Sequence, residues 1–190
     1  ESDGRFEDAS TSNSLLDLED VISWASKQTW FIKPFVLAGH SQGGISVILY
    51  AQKNPTAVKG LIPVSSLISG QLSSQTPKTK KLLKSWEESG WRIEESSSVP
   101  GRIRRLPWSH MVDRLKYDVI VEADKLTMPV LLIVGGADDT TPYEHQELFY
   151  RALKTKKELH AIEKANHVFT EEKQLLEIKR LISKWIDSLD

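Results

Sequence analysis

One hexapeptide, Gly39-His40-Ser41-Gln42-Gly43-Gly44, limits what this chain can fold into more than any other feature. It follows the apolar run Phe35-Val36-Leu37-Ala38 and precedes a longer one, Ile45-Ser46-Val47-Ile48-Leu49-Tyr50-Ala51. The first run reads as a buried strand. The second reads as a helix, because it is longer and stops at Asn54-Pro55. Strand, Gly-x-Ser-x-Gly, helix is the setting of a nucleophile elbow. There a serine sits on a turn so sharp that neighbours two residues away must be small. Gly39 and Gly43 are expected to meet that need by lacking a Cβ. The turn lifts the Ser41 hydroxyl above the sheet edge. It also aims the backbone N–H of Gln42, at the helix N-terminus, at an oxyanion.

A serine hydroxyl is a poor nucleophile without a base. Such an elbow therefore requires a histidine and an acid, in the chain order Ser, Asp/Glu, His. Val130-Leu131-Leu132-Ile133-Val134 is an apolar, β-branched run suited to a buried parallel strand. Gly135-Gly136-Ala137-Asp138-Asp139-Thr140-Thr141-Pro142 follows it. Leu159-His160-Ala161-Ile162 reads as a shorter strand leading into Glu163-Lys164-Ala165-Asn166-His167. An acid and a histidine thus each follow the C-terminal end of a predicted strand. That is the edge at which open α/β sheets assemble their sites.

With these three segments in hand, the chain resembles the α/β-hydrolase superfamily over nearly its whole length. It is most like serine esterases of the cinnamoyl (feruloyl) esterase type and the related monoglyceride-lipase and serine-aminopeptidase-like hydrolases. Gly-His-Ser-Gln-Gly-Gly is similar to the family's elbow and implies Ser41 as nucleophile. Gly135-x-x-Asp138-x-x-x-Pro142 is similar to its acid motif and favours Asp138 over Asp139. Asn166-His167-x-Phe169 is similar to its Gly/Asp/Asn-His-x-Phe motif and implies His167 as base. Glu1-Ser2-Asp3-Gly4-Arg5-Phe6-Glu7-Asp8 resembles the tail of the family segment that follows the fourth strand.

In the family, four strands, a helix and a His-Gly loop that supplies a second oxyanion N–H precede that point. By this analogy the chain is expected to begin roughly 60 residues into the fold. Loss of one oxyanion donor typically costs about 10²–10³-fold in rate, so the activity of the chain as given is in question. The strand that pairs with the elbow strand would be missing. Phe35–Ala38 would then be an unprotected apolar edge, prone to self-association or to pairing with another chain. The expected fold is an N-terminally truncated α/β-hydrolase, with a mostly parallel sheet of about four strands and helices on both faces. Residues 1–190 would form one partial domain.

Length and composition fit that reading. A chain of 190 residues is long enough for a sizeable core. It is 39% hydrophobic and 27% charged, ordinary for a globular protein. A net charge of −1 argues against electrostatic capture of nucleic acid or anionic membrane. With no cysteine, disulfides, thiolate metal sites and cysteine catalysis are excluded. No run approaches the length of a membrane helix, and a cytoplasmic location is expected. No cofactor and no metal are implied.

Along the chain, Ser14 with Asp17 marks a helix start, and Leu15, Leu18, Ile22 and Ala25 recur at helical spacing to about Gln28. Asp17, Glu19 and Asp20 read as favourable charges near that helix N-terminus. The elbow strand spans about 34–39 and its helix 42–53. Val58 to Val64 reads as a further strand. From Ile68 to Tyr117 the chain is rich in Ser, Lys, Arg and Pro, with Thr79–Ser89 helical and Ser96–Gly101 a loop. A long irregular segment at this point reads as a cap over the site. Trp86, Trp91 and Trp108 either anchor that cap or line a substrate pocket. Arg102, Arg104 and Arg105 read as a solvated loop. Thr141-Pro142 is expected to open the next helix, with Thr141 as N-cap. Thr170 is expected to open the last one, whose buried stripe is Ile178, Leu181, Ile182, Trp185 and Leu189.

Of the five histidines, only His167 falls in a loop beyond a strand end. His40 is expected to point away from Ser41 into packing. His110, His145 and His160 read as structural. The expected chemistry is hydrolysis of a small-molecule carboxylic ester by Ser41, His167 and Asp138 through an acyl-enzyme, with the Gln42 N–H on the oxyanion. Peptide or monoacylglycerol hydrolysis uses the same residues and stays open. So does an inactive, self-associating scaffold.

Overall fold

The computed structural model describes residues 4–95 and 99–189. Glu1 to Asp3 of the Glu1–Asp8 stretch and Ser96 to Ser98 of the expected loop lie outside these. The helices and strands, in chain order, are α1 (Thr11–Ala25), β1 (Phe35–His40), α2 (Gln42–Lys53), β2 (Val58–Val64), α3 (Gly70–Gln75) and α4 (Pro77–Ser89). There follow β3 (Trp91–Glu95), β4 (Ile103–Pro107), α5 (Trp108–Arg114), β5 (Val130–Gly135), α6 (Tyr143–Ala152), β6 (Lys157–Ile162) and α7 (Glu172–Asp187).

β1, β2, β5 and β6 pair in that order into one parallel four-stranded sheet. Strands buried on both faces must be apolar throughout, and every residue of β5 is buried. Alternation then splits the core in two. Leu37, Leu61, Val130 and Leu132 face one side, packed with Leu15, Ile48 and Phe149 from α1, α2 and α6. Ile62, Leu131 and Ile133 face the other, against Trp185 of α7. The stripe expected on the last helix faces this second core: Ile178, Leu181 and Ile182 of α7, and Leu189 just past its end, pack against it beside Trp185.

Helix starts differ from the spacing-based expectation where a side chain finds a better partner. α1 begins at Thr11, because Ser10 is the N-cap and its Oγ accepts the Asn13 N–H at 3.0 Å. Ser14 instead donates its hydroxyl to the Ser10 carbonyl from within the first turn. α7 starts after Glu171, which forms a reciprocal capping box with Gln174, so Thr170 is not the cap. Glu19 of the acidic cluster pairs with Lys53 of α2 at 3.0 Å.

The segment between β2 and β5 is not irregular. It holds α3, α4, an antiparallel β3–β4 hairpin and α5. Its small core joins Trp86, Leu106 and Met111, with Trp108 packed against them. Arg104 and Arg105 lie on β4 rather than in a solvated loop. The Arg105 guanidinium sits 4.5 Å from the Trp91 ring centroid and that of Arg104 5.2 Å from Phe6. Cation–π contacts of this kind give arginines a partner on a small hairpin.

Candidate active site

β1 delivers Ser41 at the C-terminal end of the sheet. Ser41 has φ 55° and ψ −117°, a left-handed conformation that costs an L-residue energy and persists only where its surroundings fix it. Those surroundings are visible. The Ser41 N–H donates to the Val64 carbonyl at 3.0 Å, and the Ser41 carbonyl accepts from Leu67 N at 3.1 Å. The end of β2 and the segment that follows it therefore grip the elbow from both sides. A Cβ on Gly39 would sit 2.3 Å from the Gly43 carbonyl oxygen, so this glycine is obligatory. Gly43 is not: a Cβ there meets nothing within 4 Å. The tight approach falls at Gly44, where a Cβ would lie 2.4 Å from Ser66 Oγ. The expectation for Gly43 is corrected accordingly, because the helix turns its Cα direction into open space.

β5 and β6 end beside the elbow. Their following loops are stitched together by Gly136 N to the Ile162 carbonyl at 2.8 Å and Ala137 N to the Ala165 carbonyl at 2.9 Å. This brings Asp138 and His167 face to face. His167 Nδ1 lies 2.9 Å from Asp138 Oδ2, and His167 Nε2 lies 2.9 Å from Ser41 Oγ. A carboxylate can only accept, so Nδ1 carries the proton and Nε2 accepts from the serine hydroxyl. Asp138 Oδ1 accepts the N–H groups of Thr140 and Thr141, each at 2.9 Å. Burial opposes ionisation of this carboxylate. Hydrogen bonds from His167 and from the Thr141 backbone and hydroxyl outweigh it and hold its pKa well below the usual carboxylate range. Asp139, by contrast, turns outward to Lys78 of α4 at 3.1 Å.

Two residues near this series carry roles the sequence reading did not assign. Thr141 is not the cap of α6; Pro142 takes that place. The Thr141 hydroxyl lies 2.9 Å from the Ser65 carbonyl and 2.8 Å from Asp138 Oδ2, and its single proton can serve either. His40 sets its ring edge-on to Phe169 at 6.2 Å and also makes a polar bond that was not expected. Its Nε2 donates to the His167 carbonyl at 2.7 Å, and the two rings are 4.9 Å apart. Adjacency to the acid could have signalled Thr141. Nothing in the sequence signals His40, because its partner is 127 positions away.

Gln42 is the first residue of α2, so its N–H has no acceptor within the helix and points from the positive end of the dipole. The tryptophans go elsewhere. Trp86 is buried, donates Nε1–H to the Leu106 carbonyl at 3.0 Å and meets Trp108 edge-on at 5.8 Å. Trp91 is 38% exposed on the hairpin beneath Arg105. Trp86 and Trp108 thus serve the packing of the insertion. Of the other histidines, His110 bonds the Ala9 carbonyl and Arg114, and His160 pairs with Glu158.

The profile of the prolyl oligopeptidase family matches residues 5–189. No curated protein matches by sequence. Among solved structures, Est1E from Butyrivibrio proteoclasticus, with ferulic acid bound, is 26% identical with a TM-score of 0.73, covering 98% of this chain and 73% of its own. Alpha/beta hydrolase domain-containing protein 10 from mouse is 18% identical with a TM-score of 0.76, covering 99% and 74%. Paleococcus ferrophilus monoacylglycerol lipase is 21% identical with a TM-score of 0.66, covering 96% and 77%. A parallel sheet carrying an elbow after β1, matched by a family profile over nearly its whole length, leaves one conclusion. The chain has an α/β-hydrolase fold and belongs to the prolyl oligopeptidase family.

Proposed function

We propose that this hydrolase cleaves a carboxylic ester through an acyl-enzyme on Ser41. The observation that carries the reading is the hydrogen-bonded series from Ser41 Oγ through His167 to a buried Asp138 at the carboxyl end of the sheet. His167 Nε2 takes the hydroxyl proton as Ser41 Oγ attacks the carbonyl carbon. Asp138 holds the imidazole tautomer and stabilises the imidazolium that forms. The Gln42 N–H donates to the oxyanion. The imidazolium then protonates the leaving alcohol, and water releases the acid by the reverse sequence. An ester substrate is favoured by the likeness to Est1E, whose structure holds ferulic acid, and to a monoacylglycerol lipase. The β2–β5 insertion acts as the cap, and the expected place of action is the cytoplasm.

A fluorophosphonate probe tests the nucleophile. It is expected to label the chain, and labelling is expected to vanish in Ser41→Ala. Equal labelling of both would remove Ser41 from the chemistry. A panel of 4-nitrophenyl esters and aminoacyl anilides separates esterase from peptidase: turnover of anilides alone would move the reading to peptide bonds.

A second reading, association through the β1 edge, is supported by exposed apolar surface beside it. Ile32 is 76% exposed, Trp30 62% and Trp24 59%. Monomeric proteins rarely leave such residues clustered.

A further inference from the structure

Arg114, at the end of α5, reaches across to the elbow. Its Nη2 donates to Gln42 Oε1 at 3.3 Å and to His110 Nε2 at 2.9 Å. His110 can accept there because its Nδ1 donates to the Ala9 carbonyl at 2.7 Å, which fixes the tautomer. The imidazole stacks on Trp86, with centroids 6.1 Å apart and an interplanar angle of 23°. The insertion's aromatic core thus holds the guanidinium in place next to the residue that follows Ser41.

Both of these partners are neutral. Arg114 Nε is buried and has no hydrogen-bond partner among the described residues. The adjacent acid, Asp113, is already taken: its oxygens accept from Ser12 N, Ser12 Oγ and Lys116 Nζ. No ion pair of Arg114 is formed among the described residues. Burial, and then the like charge of Arg92, lower its pKa to about 10, so it remains a cation at neutral pH. Arg114 is half-buried, with its Nε shut off from water, and withdrawing a charge from water without a counter-charge is costly. The neighbouring N-terminus of α2 adds further positive potential at Gln42 rather than relief. A cation held without a counter-ion against the residue that follows Ser41 is suited to receive an anion.

We propose that Arg114 is a specificity residue that takes a carboxylate on the substrate of the Ser41 site. The substrate class is then an ester bearing an anionic group a few bonds from the scissile carbonyl. The carboxylate would pair with the Nη1 N–H groups, since Nε is closed off and Nη2 is engaged by Gln42 and His110. The proposal rests on the ester hydrolase reading above for its chemistry but not for its binding step.

Two 4-nitrophenyl esters of equal chain length test it: the glutarate monoester, which ends in a carboxylate, and the pentanoate, which ends in a methyl. The ratio of their kcat/KM values is expected to fall about ten- to hundredfold in Arg114→Gln, the range of a charge-assisted hydrogen bond, and to be partly restored in Arg114→Lys. An unchanged ratio overturns the proposal. A binding measurement decides it without turnover. By calorimetry, the Ser41→Ala chain is expected to bind glutaric acid monoanilide at least tenfold more tightly than the methyl ester of that anilide. Equal affinities, or no binding of the acid, overturn it whatever Arg114→Gln does to folding. If neither nitrophenyl ester is turned over, the esterase reading fails alone, and the two affinities still decide: the preference for the acid is expected to disappear in Ser41→Ala/Arg114→Gln, and a preference that survives there overturns the assignment to Arg114.

Discussion

A single carboxylate carries much of the electrostatics of this site. Asp138 is paired with His167 and with three donors from its own loop, and its folded pKa lies below that of an unfolded aspartate. The sign follows from linkage. A depressed folded pKa stabilises the native state above the unfolded value of about 3.9, and that stability is lost as pH falls through the lower folded value. Asp138→Asn is therefore expected to show a smaller loss of urea midpoint between pH 5 and pH 2 than the parent chain. A parent and a variant with parallel pH profiles would contradict it. The same substitution leaves the shape of the site but presents an amide to Nδ1. The kcat of ester cleavage is expected to fall about 10⁴-fold. His40 acts at the same scale, anchoring the His167 loop through its main chain.

At the scale of elements, the elbow shows how a strand and a helix divide the work of holding strain. The positive φ of Ser41 is held by hydrogen bonds to Val64 and Leu67 on one side and, through its carbonyl, to Gly44 of the first turn of α2 on the other. The two outer glycines of the motif then differ in kind. Gly39→Ala drives a Cβ into backbone and is expected to lower stability by about 1–3 kcal/mol or more. Gly43→Ala adds a methyl to open space on the first turn of α2 and is expected to be neutral or slightly stabilising. Urea midpoints of the two variants check this; equal losses would refute it. The insertion between β2 and β5 is held by its own tryptophan core. It touches the acid loop where Lys78 at the start of α4 meets Asp139 and Thr140.

For the molecule as a whole, the sheet ends at β1. Among the described residues that strand pairs only with β2, leaving the side of Ala38 and His40 open beside an apolar groove of about 530 Å³ lined by Val64, Val168 and Phe169. Unpaired strand groups next to exposed Trp30 and Ile32 favour pairing with another chain. Size-exclusion chromatography with light scattering is expected to show concentration-dependent association, reduced in Ala38→Lys, which sets a charge in the groove beside the open edge. A monomer at all concentrations would set this aside.

The sequence by itself determined the sheet and the three polar residues that meet at its carboxyl end. Buried parallel strands must be apolar throughout, and a sharp elbow needs its glycine, so β1, β2, β5 and the positions of Ser41, Asp138 and His167 could be read from local pattern and motif. α2, α7 and the stripe on α7 were legible for the same reason, since helical spacing records which face is buried. What only the tertiary structure decided depends on partners remote along the chain. Thr141 leaves its cap for Ser65 and Asp138, His40 turns to the His167 carbonyl, the arginines of β4 settle on Phe6 and Trp91, and Arg114 reaches Gln42. A polar side chain goes to whichever donor or acceptor the fold sets within reach, and that choice leaves no periodicity in the sequence.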